Sequence, residues 1–232
     1  MKKTLAICLS GSLRSLEYCI INFIDCILDP NKDIYKIVIF LYTPLDSNVY
    51  KTVLYHNNSV PILIKIQPDI QLNIPDIIWQ GRNENVKIDD VSTAGIKGYL
   101  YQLHNIEETF YMIEEYEKKN NLYFDYILRC RTDVIFTKKI FICDYILDNY
   151  IIIPDFHHWG GINDRFALGN RNIMEIYMKM YSNIYNLPKN FNVINAEYFC
   201  KINLDNNNVK FIKVPIYFNR VRMDGLIEKE LE

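Results

Sequence analysis

The stretch that decides the fold is Phe124-Asp125-Tyr126-Ile127-Leu128-Arg129-Cys130-Arg131-Thr132-Asp133. Its apolar first half predicts a buried strand, and the strand ends abruptly in two arginines and an aspartate. Because side chains alternate in an extended chain, we expect Arg129, Arg131 and Asp133 on one face, with Cys130 and Thr132 on the other. Ionised groups are too costly to bury unpaired. The three charges therefore predict a cleft for a phosphate or a metal, or else an internal Arg/Asp ion pair.

Further apolar, β-branched runs predict strands on either side of this stretch. They are Leu5 to Leu9, Tyr35 to Tyr42, Pro61 to Ile66 and Tyr150 to Ile153. Several are almost continuously apolar, which is typical of strands that are covered on both faces. Val209 to Phe218 is also strand-like, but Pro215 interrupts it and so favours an edge position.

Three amphipathic helices are predicted between the strands, because apolar residues recur there at spacings of three and four. The first spans Leu13 to Ile27, the second includes Leu103 to Ile113, and the third spans Ile173 to Ile184 after the Gly169-Asn170 turn and before Pro188. Alternating strands and helices predict an α/β fold with a largely parallel sheet. The less regular stretch from Gln67 to Thr93 predicts a lid or substrate loop, or a plain surface loop.

Composition limits the class of protein. A chain of 232 residues with 50% hydrophobic content is expected to form a single domain over residues 1–232. A net charge of −2 argues against nucleic acid or an anionic membrane as the main partner. No apolar stretch approaches 18 residues, and the one at the N-terminus is broken at Ser10-Gly11-Ser12, so we expect neither a transmembrane segment nor a signal peptide.

The cysteines indicate a reducing compartment, and the histidines argue against a structural zinc site. The six cysteines are scattered without a C-x-x-C pair, mostly in apolar runs, which predicts buried free thiols and a cytoplasmic location. With four histidines and no His/Cys cluster, a structural zinc site is not expected.

Ser10-Gly11-Ser12-Leu13-Arg14 lies between the first strand and the first helix. Backbone N–H groups at a helix N-terminus favour anions, and Arg14 is placed to reach a phosphate. The alternative is that Ser10 or Ser12 only caps the helix. In a parallel sheet this loop and the end of the Tyr126 strand lie at the same edge, so we expect the two to share one cleft.

Three segments together resemble the GT-A-type glycosyltransferases. They are Ala6 to Arg14, Tyr126 to Asp133, and Asn163-Asp164-Arg165-Phe166-Ala167-Leu168-Gly169. Within this class the chain resembles the WavE-like proteins of lipopolysaccharide and capsule synthesis and related transferases of large DNA viruses. The resemblance runs from the first strand to Glu197. It implies a single GT-A-like, Rossmann-like domain with a mostly parallel sheet flanked by helices, in the host cytoplasm if the protein is viral.

The resemblance also implies a nucleotide-sugar donor, UDP-linked, and a glycan or glycoconjugate acceptor. Donor-binding residues would be Ser10, Gly11, Ser12, Arg14, Arg129, Arg131 and, from the tail, Arg222. The metal-binding D-x-D of such enzymes is degenerate here, since Arg131 replaces its first aspartate and only Asp133 remains. We favour Mn²⁺ or Mg²⁺ held by Asp133 and the donor phosphates, with Arg129 and Arg131 supplying part of the positive charge.

A transferase of the inverting type also needs a general base for the acceptor hydroxyl. The candidates are Asp164, whose alternative is a salt bridge with Arg165, and Glu197, whose alternative is to complement a helix dipole after the N-cap Asn195. Trp159, Gly161 and Arg165 are the candidate acceptor contacts, and an ordinary loop is the alternative.

Two other functions stay open at this point. One is a domain of the same fold that binds a nucleotide or glycan without turnover. The other, a sugar nucleotidyltransferase, would be expected to carry a glycine-rich basic first loop, which Ser10 to Arg14 matches poorly.

Overall fold

The computed structural model describes residues 2–13, 15–44, 60–72, 78–80, 85–86, 93–146, 148–185 and 193–229. Its strands are β1 (Lys3–Ser10), β2 (Tyr35–Pro44), β3 (Ile62–Gln67), β4 (Ile78–Gln80), β5 (Asn85–Val86), β6 (Tyr126–Cys130), β7 (Val134–Phe136), β8 (Tyr150–Pro154), β9 (Phe166–Asn170), β10 (Val193–Ile194), β11 (Lys210–Val214), β12 (Phe218–Val221) and β13 (Ile227–Glu228). Its α-helices are α1 (Leu16–Phe23), α2 (Asp29–Asn31), α3 (Thr93–Asn120), α4 (Arg171–Met178), α5 (Met180–Ile184) and α6 (Ala196–Asn206). A π-helical segment (Ile24–Leu28) joins α1 to α2, and a 3₁₀ turn (Ile142–Asp144) precedes β8.

A seven-stranded sheet in the order β11-β8-β9-β6-β1-β2-β3 forms the centre of the fold. Neighbours pair in parallel except β9, which runs antiparallel to both β6 and β8. The expectation of an α/β fold with a mostly parallel sheet is therefore confirmed. The carboxyl ends of β1, β2, β3 and β6 lie at one edge of this sheet, because these four strands are parallel.

Strand β1 shows why the central strands are almost continuously apolar. Leu5, Ile7 and Leu9 enter the core on one face of the sheet, while Ala6 and Cys8 enter the core on the other. Both faces are covered, so neither set of alternating side chains reaches water. The strands predicted from apolar runs are all present, and β6 extends to Cys130.

Helices cover both faces of the sheet. On one face, α3 packs its apolar stripe over β1 and β2, and α4, α5 and α6 complete this side. On the other face, α1 and the π-helical segment pack together with β7 and β12. The 28-residue α3 matters most for the site, because it runs beside the carboxyl ends of β1 and β6.

The third predicted helix is divided in two. The sequence pattern predicts one helix from Ile173 to Ile184, whereas the structure has α4 and α5 with a break at Lys179. The side chain of Glu107 in α3 accepts hydrogen bonds from the backbone N–H and the hydroxyl of Ser182, which satisfies an amide in the first turn of α5. A contact from another helix thus supports a second helix start that local periodicity does not show.

Strand β9 was not expected as a strand. The sequence identifies residues 163–169 only as a motif, whereas the structure inserts Phe166–Asn170 between β6 and β8 in the antiparallel direction. Asn170 then caps α4 through its side chain, which accepts from the backbone N–H of Ile173. The predicted helix start at Gly169-Asn170 is confirmed.

The edge position predicted from Pro215 for the strand-like tail is confirmed. Strand β11 lies at an edge of the large sheet, and the chain then leaves it to form β12, which pairs with β7 and β13 in a small antiparallel sheet. In the stretch from Gln67 to Thr93, the structure places β4 and β5, with β4 paired to β10. Pro75 and Gly81 of this stretch, and Pro188, lie outside the described residues.

Over the described ranges, no helix combines the length and the apolar character that crossing a bilayer requires. All six cysteines are free, and five of them are buried, with Cys143 exposed.

Candidate functional site

A cleft of about 810 Å³ lies at the carboxyl ends of β1, β2, β3 and β6. This volume is within the range of small-molecule sites, roughly 300–1,000 Å³. The described residues that line it are Ser10, Gly11, Ser12, Pro44, Ile66, Gln67, Pro68, Asp69, Ile70, Gly98, Tyr101, Gln102, Asn105, Arg129, Arg131, Thr132 and Asp133. The loop after β1 and the end of β6 therefore share one cleft, as their positions in the sequence predict.

The loop after β1 approaches the cleft with its backbone. Gly11 has a φ of +105°, a conformation that residues with a Cβ rarely adopt, and its N–H donates to the carbonyl of Tyr42. The hydroxyl of Thr132 donates to the carbonyl of Ser12 at 3.1 Å, which ties this loop to the end of β6. The N-cap of α1 is Ser15, so neither Ser10 nor Ser12 serves as the cap. Arg14 lies outside the described residues.

Arg129 lies at the floor of the cleft. It is the last but one residue of β6, lies on the same face as Ile127 and is only 1% exposed. Its Nη1 donates to the main-chain carbonyl of Asp164, and its Nε has no hydrogen-bond partner. Within the described part of the chain, Arg129 forms no ion pair. Among the described residues, neutral groups hold this buried cation beside an open cavity, namely the Asp164 carbonyl and the Tyr177 hydroxyl.

The nearby thiols and the phenol do not supply Arg129 with a compensating negative charge at neutral pH. Burial raises the pKa of Cys130 to about 12, although the charge of Arg129 opposes the shift. Burial likewise raises the pKa values of Cys8 and Tyr177 well above their ordinary ranges. The two thiols and the phenol therefore stay protonated, and Tyr177 uses its hydroxyl to donate to the carbonyl of Asp164 at 3.1 Å.

Arg131 and Asp133 form a two-pronged ion pair at the mouth of the cleft. Arg131 donates from Nε to Oδ1 and from Nη2 to Oδ2 of Asp133, each at 2.7 Å. The ion-pair alternative is therefore realised for these two residues, while Arg129 stays outside it. Burial alone would raise the pKa of the Asp133 carboxyl, but the hydrogen bonds and charge of Arg131, helped by Arg220, hold this pKa below its ordinary value.

Gln102 of α3 connects this pair to the interior. Its Oε1 accepts from Nη1 of Arg131 at 3.3 Å, and its Nε2 donates to Oδ2 of Asp164 at 2.8 Å. The candidate residues Arg131, Asp133 and Asp164 are thus joined in one hydrogen-bonded chain. Asp164 itself is buried and does not belong to the described lining of the cleft.

The turn that precedes β9 is held by Asn163. Its side chain donates to the carbonyl of Phe156 and accepts from the backbone N–H of Arg165, and its own N–H donates to Nδ1 of His158. His158 in turn contacts Asp155 at 3.2 Å. These bonds fix the positions of the neighbouring residues Asp164 and Arg165, both of which are buried.

Gly161 lies directly against the backbone at Glu197. A Cβ on Gly161 would fall 1.9 Å from the carbonyl oxygen of Glu197, and the N–H of Ile162 donates to that same oxygen at 3.0 Å. The close approach that glycine permits is therefore used for packing of one segment of the chain against another. The carboxylate of Glu197 lies in the first turn of α6, which Asn195 caps as predicted by accepting from the N–H of Tyr198.

Trp159 and Arg222 lie apart from the lining of the cleft described above. Trp159 is 62% exposed, its ring contacts that of His157, and its carbonyl accepts from Asn195. Arg222 lies beside the β12–β13 hairpin, where its guanidinium donates to Glu228 at 2.6 Å. The structure therefore brings together the candidate residues Arg129, Arg131, Asp133 and Asp164. Arg222 instead pairs with Glu228, which it shares with Arg220.

Helix α3 contributes residues to the cleft that the sequence patterns did not predict as site residues. Gly98, Tyr101, Gln102 and Asn105 all line the cleft, and their spacing of three and four places them on one face of the helix. In the sequence these residues form a polar stripe beside the predicted apolar stripe of the helix, and this stripe is the pattern that indicates a helix face lining a site. Asp69, which lies after β3, is a cleft carboxylate that was also missed.

A metal would find few ligands in the described part of the chain. It contains no group of three or more His, Cys, Asp or Glu side chains placed to hold a metal ion. Both oxygens of Asp133 already accept from Arg131, so a cation at this carboxylate would have to compete with the guanidinium.

A family match covers almost the whole chain. No curated protein matches it at a significant level. The model of the family described as "Domain of unknown function (DUF7796)" matches residues 1–223, which include the cleft, the Asn163 turn and the start of the β12–β13 hairpin. The chain therefore belongs to the DUF7796 family.

Proposed function

We propose that the chain is a glycosyltransferase whose cleft binds a nucleotide-diphosphate sugar and that it transfers the sugar to a glycan hydroxyl. The observation that carries this proposal is Arg129, a 1% exposed guanidinium that lines the cleft with an unpartnered Nε and no described ion pair. An unpaired buried cation is costly, so a site that keeps one is suited to an anion that completes its environment. A diphosphate is such an anion.

The loop after β1 provides the second part of an anion site. Ser10, Gly11 and Ser12 line the same cleft as Arg129, just before α1. Ligands of open α/β sheets bind beyond the carboxyl ends of the strands, where the chain connections diverge to opposite sides. Here β1 is followed by β2 on one side, while β6 lies on its other side. This arrangement supports a nucleotide spanning the two halves of the edge.

The expected divalent cation fits these residues poorly. Mn²⁺ and Mg²⁺ prefer free carboxylate oxygens, and both oxygens of Asp133 are engaged by Arg131. We therefore propose that Arg129 and Arg131 stabilise the negative charge that develops on the departing diphosphate. Positioned guanidinium groups need no rearrangement as this charge appears.

Asp164 and Glu197 are the proposed general bases for the acceptor hydroxyl. Asp164 is connected to the cleft through Gln102, and the backbone of Glu197 lies against Gly161 in the neighbouring turn, which places this residue beside residues 159–165. Trp159, Gly161 and Arg165 belong to the same turn, and the exposed ring of Trp159 offers a surface on which a sugar can stack. The acceptor side is therefore proposed to be formed by residues 155–165 together with the start of α6.

A second candidate is a domain that binds the donor without turnover. It is favoured by the placement of Asp164 and Glu197, neither of which belongs to the described lining of the cleft. In both cases we propose a cytoplasmic location, since the six free cysteines suit a reducing compartment.

One experiment tests both candidates. Purified protein is titrated calorimetrically with UDP, GDP and inorganic pyrophosphate, and is then incubated with UDP- and GDP-sugars while donor hydrolysis and transfer to glycan acceptors are measured. Binding with turnover supports the transferase. Binding without hydrolysis or transfer supports the binding domain, and absence of binding to every nucleotide and to pyrophosphate overturns both.

A further inference from the structure

The side chain of Gln102 is bonded at both ends to residues of the proposed site. Its Oε1 accepts from Arg131 at 3.3 Å and its Nε2 donates to Asp164 at 2.8 Å. The orientation of this amide is determined by its partners, because a guanidinium only donates hydrogen bonds and an ionised carboxylate only accepts them. Gln102 therefore presents its carbonyl to the cation and its NH₂ group to the anion.

These two bonds connect two elements that approach the cleft separately. Arg131 follows β6 at the mouth of the cleft, whereas Asp164 precedes β9 in the interior. Asp164 is held independently, since its carbonyl accepts from both Arg129 and Tyr177. The fixed end of the hydrogen-bonded chain is thus Asp164, and Arg131 is the end that faces the cleft.

Arg131 gains a defined position from this arrangement. Its Nε and Nη2 groups donate to Asp133, and its Nη1 group donates to Gln102. A long, flexible side chain that is already oriented loses less conformational entropy when it binds a phosphate. An oriented guanidinium is also what two-pronged recognition of a phosphate requires.

We infer that Gln102 is a positioning residue that holds the guanidinium of Arg131 against the donor diphosphate and in a constant relation to Asp164. This role rests on the proposed function. Gln102 acts through Arg131 and is not itself a catalytic residue. The alternative is a purely structural role, in which Gln102 only anchors α3 to the sheet. The two roles differ because only the positioning role requires Arg131 for the effect of Gln102 on ligand affinity.

The test is a double-mutant cycle read by calorimetric titration with UDP and with inorganic pyrophosphate. The proteins are the wild type, Gln102→Met, Arg131→Met and the double variant. Methionine preserves the length of the side chain and removes the hydrogen bonds. We expect Gln102→Met to weaken UDP binding about tenfold, as for loss of a hydrogen bond to a charged group, and to have less than about a twofold effect once Arg131 is replaced.

Matched controls separate positioning from folding. Glu115→Met introduces the same side chain at an exposed position of α3 that does not belong to the described lining of the cleft, and it should leave UDP affinity unchanged. Gln102→Asn keeps the amide but is too short to reach both partners, so it should weaken binding in the same direction as Gln102→Met. Thermal unfolding of each variant shows that it is folded.

The outcomes distinguish the two levels of the proposal. The positioning role is overturned, while the proposed function stands, if the wild type binds UDP and Gln102→Met binds it equally well. The same conclusion follows if the fold-losses in UDP affinity caused by Gln102→Met and by Arg131→Met multiply in the double variant. If the wild type binds neither UDP nor GDP nor pyrophosphate, the proposed function fails and this role fails with it.

Discussion

Both carboxylate oxygens of Asp133 accept hydrogen bonds from Arg131, from Nε and from Nη2, each at 2.7 Å. The two residues are separated by only Thr132, so the pair forms within a single bend after β6. Arg131 thus neutralises the carboxylate that the resemblance to glycosyltransferases proposes as the metal ligand. This relationship governs the stability, the metal response and the ligand affinity expected at the cleft.

Replacing Asp133 with Asn should destabilise the protein. The variant loses one partner of a largely buried pair, with the Asp133 side chain 15% exposed, and leaves Arg131 without its charged acceptor. We expect a loss of about 1–3 kcal/mol in the free energy of unfolding, measured by urea denaturation. Asp205→Asn breaks the exposed pair with Lys201 and should cost less than about 0.5 kcal/mol. Equal losses in the two variants would contradict the assignment of the Asp133 pair as the stronger one.

The stability contributed by Asp133 should disappear in acid. Its pKa is lower in the folded protein than the value of about 3.9 expected in the unfolded chain, so the unfolded state takes up the proton first as pH falls. The contribution is therefore complete above about pH 5 and is lost as pH falls through the folded pKa. The difference in unfolding free energy between the wild type and Asp133→Asn should be constant from pH 7 to 5 and shrink below pH 4. A difference that stays constant in acid would show that the pKa of Asp133 is not lowered.

Metal removal provides a direct test of the arginine-based site. We expect the affinity for UDP to be the same, within about twofold, in excess EDTA and in Mn²⁺, because Arg131 occupies both oxygens of Asp133. Calorimetry under the two conditions measures this. A loss of tenfold or more in EDTA that is absent from Asp133→Asn would instead place a cation on Asp133.

Arg129→Met should separate stability from binding. Replacing a buried charge that has no ion pair among the described residues with an apolar side chain of similar length removes a desolvation cost and also removes the bond to the Asp164 carbonyl. We expect the free energy of unfolding to change by less than about 1 kcal/mol, while UDP binding falls below detection. Arg129→Lys, which keeps the charge, serves as the control and should retain weak binding. Retention of full UDP affinity in Arg129→Met would remove the main support for the anion site.

Gly161→Ala should be strongly destabilising for a reason unrelated to ligand binding. The new methyl group would lie 1.9 Å from the carbonyl oxygen of Glu197, so the turn or α6 must move. We expect a loss of more than about 3 kcal/mol in the free energy of unfolding. Gly160→Ala changes the neighbouring residue. An added Cβ there would meet no atom of a non-neighbouring residue within 4 Å, but φ is +82°, so we expect a cost of only about 1–2 kcal/mol. Similar thermal midpoints for the two variants would show that the turn adapts to the added methyl group.

Local patterns were sufficient for most of the large sheet and its helices. The apolar runs that begin at Tyr35 and Tyr126 predict strands, because a strand covered on both faces has apolar side chains at successive positions. In the structure both faces of these strands are covered. The caps at Asn170 and Asn195 were equally predictable, since a side chain that accepts from an N–H three residues later depends only on neighbours in the chain.

The elements that were missed depend on distant parts of the chain. Strand β9 is defined by its antiparallel pairing with β6 and β8, and the break at Lys179 is accompanied by a contact between Glu107 and Ser182 across 75 residues. Neither relationship leaves a periodic trace in the local sequence. The same reason explains Gln102, which acts through partners 29 and 62 residues away.

The sequence by itself determined that Arg129 lies near the end of a buried strand and that Arg131 and Asp133 follow it. It also determined that the loop from Ser10 to Ser12 meets them at one edge of a parallel sheet. Strand alternation and the common direction of parallel strands require no knowledge of tertiary contacts. Only the tertiary structure decided how the three charges divide, with Arg131 paired to Asp133 and Arg129 left buried beside the cleft without a described ion pair. The physical reason is that hydrogen bonds and ion pairs depend on distances of a few ångströms, and α3 and the Asn163 turn set those distances from elsewhere in the chain.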